Sequence, residues 1–214
     1  MERLKDVTYQ EKLGSVYDKV EQTRKLALLL CERLGRDSLA KLVERAAWLS
    51  KADLVTRMVY EFPELQGVMG REYARHDGED PRVALALYEQ YLQRFASDSL
   101  PTDDVGAILG LAERIHIVVS CHKVGLEPTG SQDPYGLRRA ARCINEILWG
   151  RRLDLDLEEA VRESVISFMP SFLSALSFCS ATIPLIFPCI ISRSPGLDSC
   201  GICIKASAAS ALPA

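Results

Sequence analysis

Apolar residues recur along the first part of the chain at intervals of three and four, the spacing that keeps one side of a helix apolar. The first stripe stops at Gly35, and the third stops at Pro63; both residue types commonly end helices. Three amphipathic helices are therefore predicted in this region. Their apolar positions are Leu13, Val16, Val20, Ala27, Leu30 and Leu34, then Leu39, Leu42, Val43, Ala46, Ala47 and Leu49, and finally Val55, Met58, Val59 and Phe62.

A fourth predicted helix lies in the stretch LQGVMGREYA and contains two glycines, Gly67 and Gly70. Glycine in a helix interior costs about 1 kcal/mol relative to alanine. We therefore expect a close approach of another backbone segment, or a kink, at this point.

Three more helices follow. Pro81 opens the fifth, and the sixth has an inward-facing stripe that begins at Val105. Asp133 is placed to cap the seventh, with Pro134 in its first position. No alternating run of β-branched residues appears before Val165. The sequence predicts an all-α fold, a compact multi-helix domain.

The chemistry of the chain changes near Ser164. The segment SVISFMPSFLSALSFCSATIPLIFPCII carries no charge, and its prolines and serines are untypical of a membrane span. We therefore divide the chain into a domain of residues 1–163 and a tail of residues 164–214. For the tail we consider an aberrant terminus, a hydrophobic anchor and an untypical helical hairpin. Beyond Ser164 the only charged residues are Arg193, Asp198 and Lys205.

Charge and cysteine usage narrow the classes of function. A net charge of −3 argues against wholesale electrostatic binding of nucleic acid, although it allows a local basic patch. The polar opening MERLKDVTYQEK has no signal-peptide pattern. Of seven cysteines, three occur singly in predicted helices and suit reduced core thiols: Cys31, Cys121 and Cys143.

Two short motifs suggest metal binding. His76-Asp77 is the pair with which HD phosphohydrolases hold a metal that activates water. Such a site needs further ligands, but His116 and His122 are six residues apart and do not share a helix face. The surrounding RHDGED is typical of a solvated helix end. We therefore predict no metal site there.

The second motif is Cys200-Gly-Ile-Cys203, which has the spacing of a zinc or redox site. Only Cys179 and Cys189 could complete it locally, and no histidine lies nearby. We predict no metal here either.

Several charged residues have plain structural interpretations. The acidic run that includes Asp156 and Glu159 is suited to opening a helix. Lys51, Asp53 and Arg57 cluster near the third predicted helix, and the spacing of Asp53 and Arg57 predicts a surface ion pair.

The stretch PTGSQDPYGLRRAA, from Pro128, favours anion binding. On the helix that follows, Arg138, Arg139 and Arg142 fall within about 100° of arc opposite the apolar stripe, and we call them the arginine face. Forked guanidinium donors suit phosphate, and the preceding hydroxyls and amides also favour anions. The alternative is a solvated face whose arginines pair with acids elsewhere.

Five blocks of sequence, in order, resemble the β subunit of bacterial-type, heterotetrameric glycyl-tRNA synthetase. The similarity covers about Asp6 to Gly150, and we expect none after about Glu163. The blocks are QEKLGSVYDKV from Gln10, AAWLSKADLVTRMVYEFPELQGVMGREYA from Ala46, VALALYEQYL from Val83, ILGLAERI from Ile108, and PTGSQDPYGLRRAA from Pro128.

The resemblance implies that this region belongs to an HD-like helical core that has lost its metal ligands. The positions equivalent to those ligands are Gln10, Ala52, Asp53 and Glu113. In the family the β subunit recognises tRNA(Gly), whereas glycine activation with ATP and Mg lies on the α subunit or α portion. The resemblance therefore implies a fragment with no catalytic residues, metal or cofactor of its own.

We therefore expect a piece of a glycine–tRNA ligase that contributes tRNA binding and scaffolding. The arginine face would position phosphates, with Lys51 and Arg57 as lesser candidates. The alternatives are a residual HD-type, metal-dependent phosphohydrolase and a membrane-associated interaction protein acting through the tail, although we expect no membrane partner. Gln10 replaces the family's usual histidine, as in plant organellar versions, so we expect a chloroplast or mitochondrial location in a plant and a cytoplasmic one in a bacterium.

Overall fold

The computed structural model describes residues 1–94, 98–126 and 133–168. These residues contain eight α-helices and one short antiparallel hairpin, β1 (Thr8–Gln10) and β2 (Gly14–Ser15). The all-α prediction is confirmed. The helices are α1 (Val16–Arg33), α2 (Ala40–Leu49), α3 (Arg57–Glu61), α4 (Val68–His76), α5 (Pro81–Glu89), α6 (Asp104–Lys123), α7 (Leu137–Gly150) and α8 (Leu157–Phe168).

Helix α6 is the centre of the fold, because α1, α2, α5, α7 and α8 all pack against it. Its residues from Val105 to Glu113 are buried on every side, which explains why its sequence is apolar almost all round. It is the one helix of the described residues long and apolar enough to cross a membrane, and 89% of that window is buried inside the protein. Its hydrophobicity is that of a core helix.

Helix α1 forms where the stripe predicts it. A capping box fixes its start, since the Ser15 side chain accepts from the Asp18 amide and the Asp18 carboxylate accepts from the Ser15 amide. The helix closes at Leu34, and Gly35 follows with a φ of +63°. The predicted end at Gly35 is confirmed.

Two predicted helix starts are wrong by a few residues, and turns explain both. Helix α7 begins at Leu137, not Pro134, after Gly136 adopts a φ of +66°. Asp133 still caps it, from across that turn: its carboxylate oxygens accept from the amides of Leu137 at 2.8 Å and Arg138 at 2.9 Å. Helix α4 likewise begins only at Val68, after Gly67 with a φ of +81°.

Helix α8 crosses the division that we expected between residues 163 and 164. Asp156 opens it by accepting from the Glu159 amide at 3.0 Å, as the acidic run predicted. Ser164 and Val165 are each only 1% exposed, and the Ser164 hydroxyl donates to the Ala160 carbonyl at 2.6 Å. These first residues of the expected tail therefore belong to the helical core.

The cysteines of the described helices are core thiols, as predicted. Cys31, Cys121 and Cys143 are buried and not in disulfides. The motif of Cys200 and Cys203, and the tail from residue 169 onward, lie outside the described residues.

Candidate functional site

A cleft of about 380 Å³ lies between α1, α6 and the beginning of α7. Its remaining walls are β1, the turn after α2 and the segment 90–94 that follows α5. Positive side chains outnumber negative ones in its lining, and we call it the cationic cleft. The basic residues that line it are Lys19, Lys51, Arg94, Arg114 and Arg139.

The floor of the cleft is a buried ion triad of Lys19, Lys51 and Glu113. The Lys19 ammonium lies 2.8 Å from Oε2 of Glu113, and the Lys51 ammonium lies 3.2 Å from Oε1. The three side chains are only 6–7% exposed. Lys51 also donates to Oε1 of Gln90 and to the Tyr91 hydroxyl, each at 2.9 Å. Two buried cations thus share one buried carboxylate.

The fold places these charges through ordinary helix geometry. Lys19 lies on the buried stripe of α1, three residues after Val16 and four before Thr23. Glu113 lies on α6, which is buried on almost every side, and Lys51 lies two residues after the end of α2, before the turn Ala52–Val55. Each charge is therefore held inside by the packing of its own element.

Burial and the charges of the triad shift the pKa values of Glu113 itself and of the neighbouring Tyr91. Burial raises the pKa of Glu113, but the charges of Lys19 and Lys51 outweigh burial and hold that pKa far below its usual range. Burial raises the pKa of Tyr91 well above 10, and the nearby carboxylates of Asp53 and Glu113 add to the effect. At neutral pH, Glu113 is a carboxylate and Tyr91 a phenol.

The arginines at the sides of the cleft use backbone carbonyls instead of acids. Arg114 donates to the carbonyls of Gln90, Gly110 and Leu92 at 3.0, 2.8 and 2.5 Å. Arg94 donates to the Gln66 carbonyl at 2.9 Å, and its guanidinium lies 5.6 Å from the centre of the Tyr91 ring. In the described parts of the chain, neither guanidinium forms an ion pair with a carboxylate.

The arginine face lies on the first turns of α7, as predicted. Arg138 and Arg139 are exposed, whereas Arg142 is half-buried with its guanidinium 3.3 Å from Glu146. Arg139 also lines the cleft, so the face and the cleft meet at this residue. The residues Pro128 to Gln132, which precede the helix, lie outside the described residues.

The structure corrects two predictions about Lys51, Asp53 and Arg57. Lys51 is 5% exposed and its ammonium is held by the triad, so it is not the surface contact that we predicted. Asp53 does not pair with Arg57. It is 3% exposed, and its Oδ2 accepts from the Gly67 amide at 2.7 Å. Arg57 is exposed at the start of α3.

The four positions of the degenerate HD site do not form a set of metal ligands. Oε1 of Gln10 accepts from the Lys12 amide at 2.6 Å, and Ala52 has no donor atom. Asp53 faces Gly67, and Glu113 faces the two lysines. In the described parts of the chain, no group of three or more His, Cys, Asp or Glu side chains could hold a metal ion.

His76 and Asp77 lie at the solvent-exposed end of α4, away from the cleft. Their side chains are 89% and 74% exposed, and Nδ1 of His76 lies 3.3 Å from Oδ1 of Asp77. The interpretation of RHDGED as a solvated helix end is confirmed.

Sequence reasoning missed Lys19, Tyr9 and Gln93 as parts of the site. The Lys19 ammonium lies 4.7 Å from the centre of the Tyr9 ring, whereas the neighbouring Gln10 was the predicted position. Lys19 could have been recognised from the sequence, because a charge on an otherwise apolar helix stripe requires a buried partner. Tyr9 and Gln93 lie in a short strand and an irregular segment, where periodicity gives no direction.

The buried imidazole of His116, beside the triad, should make the stability of the protein depend on pH. Burial and then the Lys19 charge lower its pKa to about 3, and its Nε2 lies 2.8 Å from Oε1 of Gln22. Below pH 6.5 the unfolded chain binds a proton that the folded chain refuses until about pH 3, so acidification favours unfolding. Between pH 6.5 and about 5 we expect the free energy of unfolding to fall by about 1 kcal/mol or more per pH unit.

Urea denaturation at several pH values measures this slope. His116→Gln should flatten it, and His76→Gln is the matched control, because that imidazole is 89% exposed. A slope in this window that His116→Gln leaves unchanged would contradict the assignment.

Comparison of the sequence with known proteins identifies a matching family. The sequence model of a family described as glycyl-tRNA synthetase beta subunit matches residues 1–184. The expectation that family-like sequence ends near Glu163 is therefore wrong, since the match continues for a further 21 residues (184 − 163).

Curated relatives agree with the family match, and each of the following is named a glycine–tRNA ligase beta subunit. The protein of Desulfitobacterium hafniense (strain Y51) is 47% identical over 177 residues, 82% of this chain and 26% of the relative. That of Geobacter sp. (strain M21) is 49% identical over 185 residues, 86% of this chain and 26% of the relative. That of Acaryochloris marina is 48% identical over 171 residues, 79% of this chain and 24% of the relative.

The chain spans about a quarter of the length of these relatives. The family match nevertheless covers most of the chain itself. The chain therefore belongs to the glycyl-tRNA synthetase beta subunit family.

Proposed function

We propose that this chain contributes RNA contact and scaffolding to a glycine–tRNA ligase, and that the reaction itself takes place on another subunit or segment. Its partners would then be tRNA(Gly) and the α subunit or α portion, which would bind ATP and Mg. The location would be the cytoplasm of a bacterium, or a chloroplast or mitochondrion of a plant.

The arginine face carries this proposal. Arg138 and Arg139 are exposed on the first turn of α7, and Arg142 lies one turn further on. The pairing of Arg142 with Glu146 is half-exposed, and such pairs contribute little, so a phosphate can compete for the guanidinium. Guanidinium groups bind phosphate through forked hydrogen bonds, which fix the position of an RNA without reading its bases. Arg57 is a lesser candidate of the same kind.

The salt dependence of tRNA binding tests the proposal. Each phosphate contact adds nearly one unit to the slope of log K against log salt concentration. Replacing Arg138, Arg139 and Arg142 by alanine in the complete β subunit should therefore flatten the slope by about two to three units. Filter binding of tRNA(Gly) over a range of salt concentrations measures it.

The control removes the same charge elsewhere. Arg45, Arg75 and Arg162 are surface arginines outside α7, with side chains 49%, 64% and 52% exposed. Their triple replacement by alanine should change the slope by less than about one unit. Equal slopes for the wild type and the α7 variant would reject the role of the arginine face.

A further inference from the structure

We propose that the cationic cleft binds one nucleoside monophosphate unit, with the phosphate among its cations and the base against Tyr135. This goes beyond the RNA contact of the arginine face, because the ligand is a single nucleotide and most of the residues that hold it lie inside the cleft. The unit can come from two sources, a free mononucleotide or the unpaired end of an RNA.

The charge of the cleft is the first argument. Among the described residues that line it, five are basic and only one, Glu113, is acidic. The chain as a whole has a net charge of −3, so this excess of positive charge is local. A cleft with walls of one sign focuses the field and concentrates ligands of the opposite sign.

The buried triad makes an anion more favourable still. Lys19 and Lys51 are both nearly inaccessible to water and share the Glu113 carboxylate. Among the described residues, the buried Asp53 carboxylate accepts from the Gly67 amide and forms no ion pair with either lysine. A buried charge without a partner costs several kcal/mol. An anion bound above the triad would balance the second lysine.

Arg139 is placed to close on such an anion. Its Nη2 lies 3.2 Å from the point where a Cβ at Gly136 would be, so the guanidinium folds over a residue that has no side chain. Over the described ranges, no carboxylate forms an ion pair with Arg139. The guanidinium can therefore take a phosphate without giving up a carboxylate of the described residues.

Two uncharged groups favour a nucleotide over a bare phosphate. Tyr135 lines the cleft and is 45% exposed, and an exposed aromatic residue beside a cationic groove is a platform on which a base can stack. Gln93 is 3% exposed and lines the same cleft. Its Nε2 donates to Glu146 at 2.6 Å, and its Oε1 has no hydrogen-bond partner among the described residues.

An unpartnered buried acceptor requires a donor. A phosphate dianion has no hydrogen-bond donor, whereas a ribose has hydroxyl groups that can donate to Gln93. The backbone of Gln93 has a φ of +66°, a conformation that non-glycine residues rarely adopt and that occurs preferentially at binding sites. The volume of about 380 Å³ is also within the range of small-molecule sites, about 300–1,000 Å³.

Isothermal titration calorimetry of the full chain tests the proposal with AMP, inorganic phosphate and adenosine. We expect saturable one-to-one binding of AMP, with phosphate and adenosine each at least about tenfold weaker, because each lacks one half of the contacts. No binding of AMP, or equal binding of AMP and phosphate, would overturn the proposal.

Two exposed neighbours on α7 provide a matched pair of variants. Arg139→Gln should weaken AMP binding by about tenfold or more, since it removes a charged hydrogen bond. Arg138→Gln should leave AMP binding unchanged, because Arg138 does not line the cleft. Equal effects of the two substitutions would overturn the assignment. Arg138→Gln also separates the two proposals, because it should reduce the salt slope of tRNA binding and not the affinity for AMP.

A single-stranded RNA trinucleotide identifies the source of the ligand. If the source is an RNA end, the trinucleotide should bind at least about tenfold more tightly than AMP, because adjacent phosphates reach the arginine face. If the source is a free nucleotide, AMP should bind at least as tightly as the trinucleotide. Either result supports the proposed site if Arg139→Gln also weakens binding of the tighter ligand. If Arg139→Gln leaves the affinity for the trinucleotide unchanged, the trinucleotide binds elsewhere and the proposal is contradicted.

Discussion

Replacing Glu113 by glutamine is expected to lower the free energy of unfolding by about 3–5 kcal/mol, the usual cost of removing one partner from a buried ion pair. Glutamine keeps the size and shape of the side chain, so the loss comes from charge. The substitution removes the carboxylate that pairs with both Lys19 and Lys51, and the buried Asp53 carboxylate is held by the Gly67 amide. Urea denaturation of the full chain at pH 7, followed by circular dichroism, measures the difference.

Two control substitutions differ from Glu113→Gln in the number of unbalanced charges that they leave inside the protein. Lys51→Met leaves one lysine and one carboxylate, a balanced pair, and should cost less than Glu113→Gln. Glu158→Gln removes one partner of the surface pair with Arg162 on α8 and should cost no more than about 1 kcal/mol. If Glu113→Gln costs as little as Glu158→Gln, the triad does not bear the unbalanced charge that the structure indicates.

The effect of added phosphate on the stability of this variant tests whether the cationic cleft binds anions. An anion that binds only the folded chain stabilises it in proportion to its affinity and concentration. The Glu113→Gln variant carries one more unbalanced positive charge than the wild type, so inorganic phosphate should raise its melting temperature by more.

The helices could be predicted wherever an apolar stripe is long and ends in clear stop residues. In α1 the stripe, Ser15 and Gly35 all agree, so local and global preferences give the same boundaries. At α7 they do not. Asp133 and Pro134 form a typical helix start, yet the chain first makes a turn at Gly136 and the carboxylate caps the helix from a distance. A single sequence does not distinguish these two geometries, because both use the same capping residue.

The surface-pair prediction for Asp53 and Arg57 failed for a related reason. The rule for residues four apart applies within one continuous helix. Here the two residues belong to different elements, a 3₁₀ turn at Ala52–Val55 and helix α3, so they do not share a face. The turn directs Asp53 inward to the amide of Gly67.

The arginine face was predictable because it needs only the helix period, whereas the cleft was not. The cleft brings together a strand, the turn after α2, the segment after α5 and three helices, α1, α6 and α7. Lys19 could have been singled out as a charge on an apolar stripe, but its partner on α6 could not, because nothing local to either residue specifies their contact. Lys51 was chosen for its charge alone, and its burial follows only from the tertiary packing.

At Gly67 and Gly70 we expected a close approach of another backbone segment or a kink, and at Gly67 the structure shows the close approach, to the Leu87 carbonyl. Gly67 has a φ of +81°, and its amide donates to Oδ2 of Asp53 at 2.7 Å. A Cβ at this position would collide with the Tyr91 ring and lie 3.2 Å from the Leu87 carbonyl oxygen. Because the Tyr91 hydroxyl accepts from Lys51 and Gln66, moving the ring would also disturb the wall of the cleft.

Gly67→Ala is therefore expected to destabilise the protein by about 2–5 kcal/mol, from backbone strain of about 1–2 kcal/mol together with overpacking of about 1–3 kcal/mol. Gly35→Ala is the control for strain at a positive φ. Gly35 has a φ of +63°, but no atom lies within 4 Å of its Cβ position, so this variant should suffer strain without overpacking. Urea denaturation of both variants measures the difference, which combines the cost of displacing Tyr91 with the extra strain of the Gly67 ψ of −38°, outside the left-handed α region. Equal losses for the two variants would mean that the Tyr91 ring can move at little cost in free energy. The hydrogen bonds of Tyr91 with Lys51 and Gln66 would then not hold this wall of the cleft in place.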